Sequence, residues 1–244
     1  MSVTNAQSGT RIDEIADRIY RISTPVPPNP ALPAGFTFNQ FLIVDDEPAI
    51  FHAGMRKIFP LVREAVAAVM PVEKLRYIAY SHYEADECGA LADWLAVAPA
   101  ARPLCGHLGA LLNANDISDR EAKALADGEI LSIGSKQIRW HDAPHLPHGW
   151  DSGFLSEVTT RTLFCGDLFT QAGHVHEPIT ENDVLGPSEA MRAAMDHYSN
   201  PRGSGILLER LAATEPALLA CMHGAAYRGD GAAALRQLAS TLSR

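Results

Sequence analysis

The sequence predicts an α/β fold: two mixed sheets packed face to face, with helices outside. Three observations predict it. Strand pairs joined by short turns come first in each half of the chain, and helical stretches follow them. The run Leu75-Arg76-Tyr77-Ile78-Ala79-Tyr80 is largely apolar, as a strand buried on both faces is. Residues able to ligate metals fall at strand ends, where α/β folds place their sites. At 244 residues the expected organisation is a single domain over 1–244, with residues 1–12 as a flexible tail.

The elements follow in order. Asp13 to Ser23 reads as an opening strand around Ile19, Tyr20 and Ile22. Pro25, Pro27, Pro28, Pro30 and Pro33 then form a stiff loop, because proline cannot donate to a sheet ladder. It reads as a connector, with a lid carrying Phe36 and Phe38 at its exit as the functional alternative. Phe38 to Phe51 is a strand pair turning at Asp45-Asp46-Glu47-Pro48. Ile58, Leu61, Val62, Ala65 and Val69 carry helical spacing over 58–70. Cys88 to Val97 and Leu108 to Ala114 read as helices. Gly134-Ser135 and Thr159-Thr160 each join two strands, giving hairpins over 129–140 and 154–165. Helices are expected over 187–198 and 206–214, a short strand over 217–222 and a closing helix over 232–242.

Composition narrows the function. A hydrophobic fraction of 47% and a charged fraction of 20% suit a soluble globular protein. The net charge of −9 argues against a nucleic-acid or anionic-membrane partner. No segment approaches the length of a membrane span, and no basic-then-apolar stretch opens the chain as a signal peptide would. Cys88, Cys105, Cys165 and Cys221 form no CxxC, so they read as reduced, buried thiols of a cytoplasmic chain.

Four places combine a strand end with candidate ligands: His82-Tyr83-Glu84-Ala85-Asp86-Glu87, His145-Leu146-Pro147-His148-Gly149-Trp150-Asp151, Gly166-Asp167 and His223-Gly224. Each alone is weak, since a lone histidine at a strand end is more often structural. In this order and at these separations they resemble the metallo-β-lactamase superfold, whose members read H-x-H-x-D-H, then a distant His, Asp and His. Glu84 stands at the third motif position, and an H-x-E-x-D opening resembles the diiron branch: flavodiiron oxygen and nitric oxide reductases and related oxygen-binding diiron proteins. His148-Gly-Trp-Asp is similar to the His-Trp-Pro-Asp of flavodiiron proteins. The resemblance runs from about Asp13 to the C-terminus and implies an αββα sandwich.

It also implies a ligand set. His82, Glu84 and His148 would hold one metal, Asp86 and His223 a second, and Asp167 would bridge them. The family places a histidine directly after the motif aspartate, where this chain has Glu87. Either Glu87 ligates in its place, or the second site is weak or empty. His145 competes with His148, and the Gly-Trp-Asp context favours His148. His174 and His176 match no family ligand and read as surface or pocket-lining; His52, His107, His141 and His197 read as ordinary. Asp151 is a candidate to orient a ligand imidazole.

The donor chemistry suits iron better than zinc, because carboxylates mixed with imidazoles favour Fe or Mn. Zinc and manganese are the alternatives. Glu84, Asp86, Glu87 and Asp167 would neutralise two divalent ions, and the extra anion should favour the ferric state. N–H groups of the Cys88 helix should keep Asp86 and Glu87 ionised. The expected function is a non-haem diiron protein that binds or reduces O2 or NO, as a sensor or as an oxidoreductase. The alternative is a metal-dependent hydrolase of an ester, lactone, thioester or phosphoester. The chain ends too early for a fused flavodoxin domain, so turnover would need an external redox donor. A homodimer stays open, although the flavin contact that pairs flavodiiron proteins would be missing.

Overall fold

A computed structural model describes residues 2–243. The expected fold is observed: two packed mixed sheets with helices on their outer faces. The first sheet has eight strands in sequence order: β1 (Ser2–Asn5), β2 (Thr10–Ala16), β3 (Ile19–Val26), β4 (Phe36–Ile43), β5 (Ala49–Phe51), β6 (Tyr77–Ala79), β7 (Arg102–Gly106) and β8 (Lys123–Leu125). It is antiparallel up to β5 and parallel from β5 to β8. The second sheet contains β9 (Ile130–Ser132), β10 (Gln137–Asp142), β11 (Gly153–Glu157), β12 (Thr162–Phe164), β13 (Ile179–Thr180), β14 (Leu218–Ala220) and β15 (Ala226–Arg228). Its order is β13-β15-β14-β12-β11-β10-β9.

The sheets meet through aromatic side chains. Phe164 of the second sheet lies 5.4 Å from Phe41 and 5.6 Å from Phe51 of the first, ring centre to ring centre. Such tilted pairs add to the burial of large apolar surface. Helices cover the outside with one apolar stripe each. α1 (Phe59–Ala67) buries Val62, Ala65 and Val66. The short α2 (Ala85–Cys88) leads into α3 (Leu91–Val97), which buries Leu91, Trp94 and Leu95. α4 (His107–Gly109), a π turn over Ala110–Ala114 and α5 (Asn115–Ile117) follow β7. α6 (Leu185–Ala194), α7 (Gly205–Ala212) and α8 (Gly231–Leu242) lie in the second half, with α7 and α8 packed on the second sheet's core. Asp230 caps α8 by accepting the Ala233 N–H at 2.8 Å, and Ala232, Leu235, Leu238 and Leu242 face inward at helical spacing.

Three expectations need correction. Residues 1–12 are not a tail over their described part: β1 and β2 form a hairpin at the sheet edge. Asn5 and Gly9 close its turn, with the Gly9 N–H donating to the Asn5 carbonyl at 2.9 Å, and Ile12 and Ile15 are buried. Pro25 belongs to a strand, paired with Thr37, so the proline loop begins only after Val26. The single helix expected over 88–97 is broken. The Glu87 carbonyl accepts from Ala53 and the Ala90 N–H donates to the Gly54 carbonyl, each at 2.8 Å, so neither group is free for the helix ladder.

Candidate metal centre

Five of the expected ligands lie in loops that follow strands, and Asp86 and Glu87 lie in the short helix α2. His82 follows β6, His148 lies in the loop after β10, Asp167 follows β12, and His223 follows β14. The strand ends converge because β6 lies in one sheet and β12 and β14 are parallel neighbours in the other. Gly166 helps place Asp167. It has φ +48°, and a Cβ there would sit 3.1 Å from the Ser81 hydroxyl.

His82, Glu84, His148 and Asp167 each offer a ligand atom, all within 4.8 Å of one another. Glu84 Oε2 lies 3.0 Å from both His82 Nε2 and His148 Nε2. Asp167 Oδ2 is 3.6 Å from His82 Nε2 and 3.5 Å from His148 Nε2. Its other oxygen, Oδ1, turns the opposite way, 3.1 Å from His223 Nε2. His223 Nε2 is also 3.5 Å from Asp86 Oδ2. Asp167 therefore stands between two groups of ligands.

The far nitrogens of all three rings are already engaged. His148 Nδ1 donates to the His197 carbonyl and His223 Nδ1 to the Thr37 carbonyl, each at 2.8 Å. His82 Nδ1 lies 2.8 Å from the Ser81 hydroxyl. This leaves three Nε2 atoms facing carboxylates, as outer hydrogen bonds orient imidazoles for a metal. Phe36 stacks on the His223 ring at 4.2 Å and Phe38 meets it edge-on at 5.4 Å, so the exit of the proline loop braces a ligand.

Glu84, His148, Asp167 and His223 shift one another's proton affinities. The Glu84 carboxyl, between His148 and His82, is lowered to about 2, and the His148 ring beside Glu84 is raised to about 9. Burial works against a charge on Asp167, but His223, His82 and His148 outweigh it and hold its carboxyl far below the usual range. Burial likewise opposes charge on His223, yet Asp167 and Asp86 raise its pKa. Asp86 and Glu87 go the other way: burial, reinforced by neighbouring carboxylates, raises both. The helix N–H groups expected to favour their charge are few, because α2 has only four residues, and burial is the largest influence on both carboxyls. Buried anions facing imidazoles, with the Asp167 Oδ1 atom lacking an aligned hydrogen bond, fit a cationic occupant.

Other candidates separate cleanly. His145 is exposed, at φ +65°, and is not in the cluster. His174 and His176 line a hollow of about 210 Å³ with Arg11, Ser23 and Thr37. Asp151 accepts from the Asn113 amide at 2.8 Å, a helix-to-loop tie rather than a bond to an imidazole. All four cysteines are buried and unpaired. Glu87 is fully buried and accepts the Ser81 N–H at 3.1 Å. Sequence reasoning missed Ser81, Thr37 and the His197 carbonyl, and took His52 as ordinary although it lies 3.3 Å from Glu87.

A sequence model described as ODP family beta lactamase matches residues 36–224. The chain belongs to this family. All four strand-end clusters lie inside the matched span. Rubredoxin-oxygen oxidoreductase of Megalodesulfovibrio gigas is 25% identical over 206 residues, which is 81% of this ODP-family chain and 50% of that protein. Nitric oxide reductase of Moorella thermoacetica is 27% identical over 171 residues, 68% of this chain and 41% of that protein. The chain thus spans about half the length of the curated relatives it matches. Among solved structures, rubredoxin oxygen:oxidoreductase from Desulfovibrio gigas superposes with a TM-score of 0.84 at 21% identity, covering 95% of this chain and 61% of that one. A fragment of a diflavin flavoprotein from Nostoc gives 0.80 at 18% identity, covering 96% and 95%. These likenesses establish the shared fold, the metallo-β-lactamase-like sandwich of flavodiiron cores.

Proposed function

We propose that this ODP-family chain is a non-haem diiron protein that binds or reduces a small diatomic, O2 or NO. One observation carries the reading: three imidazole Nε2 atoms converge on Glu84, Asp86 and Asp167, with their Nδ1 atoms engaged from behind. His82, Glu84 and His148 would hold the first iron. Asp86, Glu87 and His223 would hold the second, with Asp167 between the two. Carboxylates equal or outnumber imidazoles in this set, a balance that suits iron or manganese over zinc. The names of the relatives, an oxygen oxidoreductase and a nitric oxide reductase, support the same chemistry.

A bound iron pair would supply the electron exchange with the diatomic. The chain's own residues do the rest. Glu84 is half exposed while Asp167, Glu87 and His223 are buried, so a ligand would approach from the Glu84 side. A hollow of about 360 Å³ lined by Tyr83, Glu84, Cys88, Leu91 and Ile117 opens beside that carboxylate. Phe36 and Phe38 pack against the buried His223 ring. Electrons would come from an external redox donor.

We read 1–244 as a single domain, because one buried core joins residues of both sheets. Among the described residues no helix is long and apolar enough to cross a membrane. A cytoplasmic setting is supported by four unpaired cysteines. The test is metal analysis of protein purified without added zinc. About two irons per chain, with a visible absorption that responds to O2 or NO, are expected. Zinc alone, with ester or lactone hydrolysis abolished by Asp86→Ala, would overturn the proposal.

A further inference from the structure

Behind the second ligand group lies a buried pair, Glu87 and His52. Glu87 Oε2 accepts the Ser81 N–H at 3.1 Å and lies 3.3 Å from His52 Nε2. The other oxygen, Oε1, is buried and has no hydrogen-bond partner. A bare buried carboxylate oxygen is costly and rare in a well-packed protein. The side chains of Glu87 and His52 are both 0% exposed, so solvent does not supply the missing contact. Glu87 directly follows Asp86 in α2, next to a proposed ligand of the second metal.

His52 is fully buried. It follows β5, packs on Phe51 at 4.2 Å between ring centres, and places Nδ1 2.7 Å from Met222 Sδ. Met222 directly precedes His223, and Ser81 directly precedes His82. The Glu87–His52 pair therefore touches the chain one residue before a ligand of each metal. His52 Nε2 makes no aligned hydrogen bond, and Glu87 Oε2 is the acidic atom facing it.

We propose that Glu87 and His52 act as a unit at the second metal: Glu87 offers Oε1 as a ligand, and His52 fixes the carboxylate through Oε2. This rests on the two-metal reading of the site. His52 is a positioning residue, since it reaches the metal only through Glu87. Outer partners of metal ligands commonly set affinity by 10- to 100-fold.

The experiment titrates the metal-free full chain with Co²⁺ alone, which reports each site by its visible spectrum. Wild type should bind two ions. His52→Ala should bind the first with wild-type affinity and the second about 10- to 100-fold more weakly, with an altered spectrum for that ion only. His52→Gln, whose amide can still meet Glu87, should recover part of the loss. Wild-type affinity for both ions in His52→Ala would overturn the proposal. So would equal weakening of both ions in step with a lower Tm, the mark of a merely structural role. Should His52→Ala fail to fold, Glu87→Gln decides: selective loss of the second ion supports the pair, and unchanged binding overturns it. A wild-type chain that binds fewer than two ions would instead refute the two-metal reading, whatever the variants do.

Discussion

Glu84→Gln is the most informative single change, because one oxygen of Glu84 touches two ligand imidazoles. The substitution keeps the shape and removes the charge. In the metal-free protein the pKa of His148 sits at about 9, first because of its contact with Glu84. An ordinary imidazole titrates at about 6.5, and a tenfold change in proton affinity corresponds to about 1.4 kcal/mol. A full return to the ordinary value would be roughly 3 kcal/mol, but the Glu84 side chain is 51% exposed and its charge is screened. Asp167 also remains, 3.5 Å from the same ring nitrogen. The effect left to Glu84 is therefore on the order of 1–2 kcal/mol, a loss of about tenfold or more in the ring's proton affinity. Metal uptake must expel that proton. At pH 8 the wild-type ring is about nine-tenths protonated, and the variant's should be at most about half. NMR titration of the imidazole signals gives the pKa directly. Calorimetry of metal uptake in buffers of different ionisation enthalpy counts the protons released. A His148 ring that still titrates near its wild-type value in Glu84→Gln would refute the reasoning.

Other outcomes follow from the same geometry. Asp86→Asn should lose the second ion while keeping the first, read as ions bound per chain by elemental analysis. The stability that His148 gives the metal-free fold should be fully present below about pH 6.5 and vanish as pH rises through about 9, because its folded pKa is the higher one. The Tm difference between wild type and His148→Gln across that range checks the sign. Gly153→Ala should cost several kcal/mol, roughly 2–4, because a Cβ there would lie 2.2 Å from the buried Trp140 ring. Denaturant midpoints measure it, and a loss under about 1 kcal/mol would show that Trp140 can yield.

Much of this was legible in the sequence, for physical reasons that can be named. Alternating and continuous apolar runs mark strands, so β4, β6 and the hairpins of the second sheet stand where expected. Ligands at strand ends are conspicuous because acidic and imidazole groups rarely crowd where a chain leaves a sheet. His82, Glu84, His148 and Asp167 are brought together in that way from separate stretches of the chain. The outer partners left no such trace. Thr37 holds His223 through a backbone carbonyl across 186 residues of sequence, and any residue type could do so. His52 looked ordinary because its importance lies in facing Glu87, which only the packing of β5 against the acidic loop reveals. The amino-terminal hairpin was missed because β1 is short and polar, with stability that comes from pairing to β2. The helix expected over 88–97 failed because Ala53 and Gly54 compete for its backbone groups.

The claim on which everything else depends is that two ions sit on either side of Asp167. Mössbauer and EPR spectra of the chain reconstituted with isotopically enriched iron test it most directly. The account predicts two irons per chain with magnetic coupling between them, and loss of that coupling in Asp167→Ala. A single uncoupled iron in the wild-type chain, or coupling that survives removal of Asp167, would contradict it.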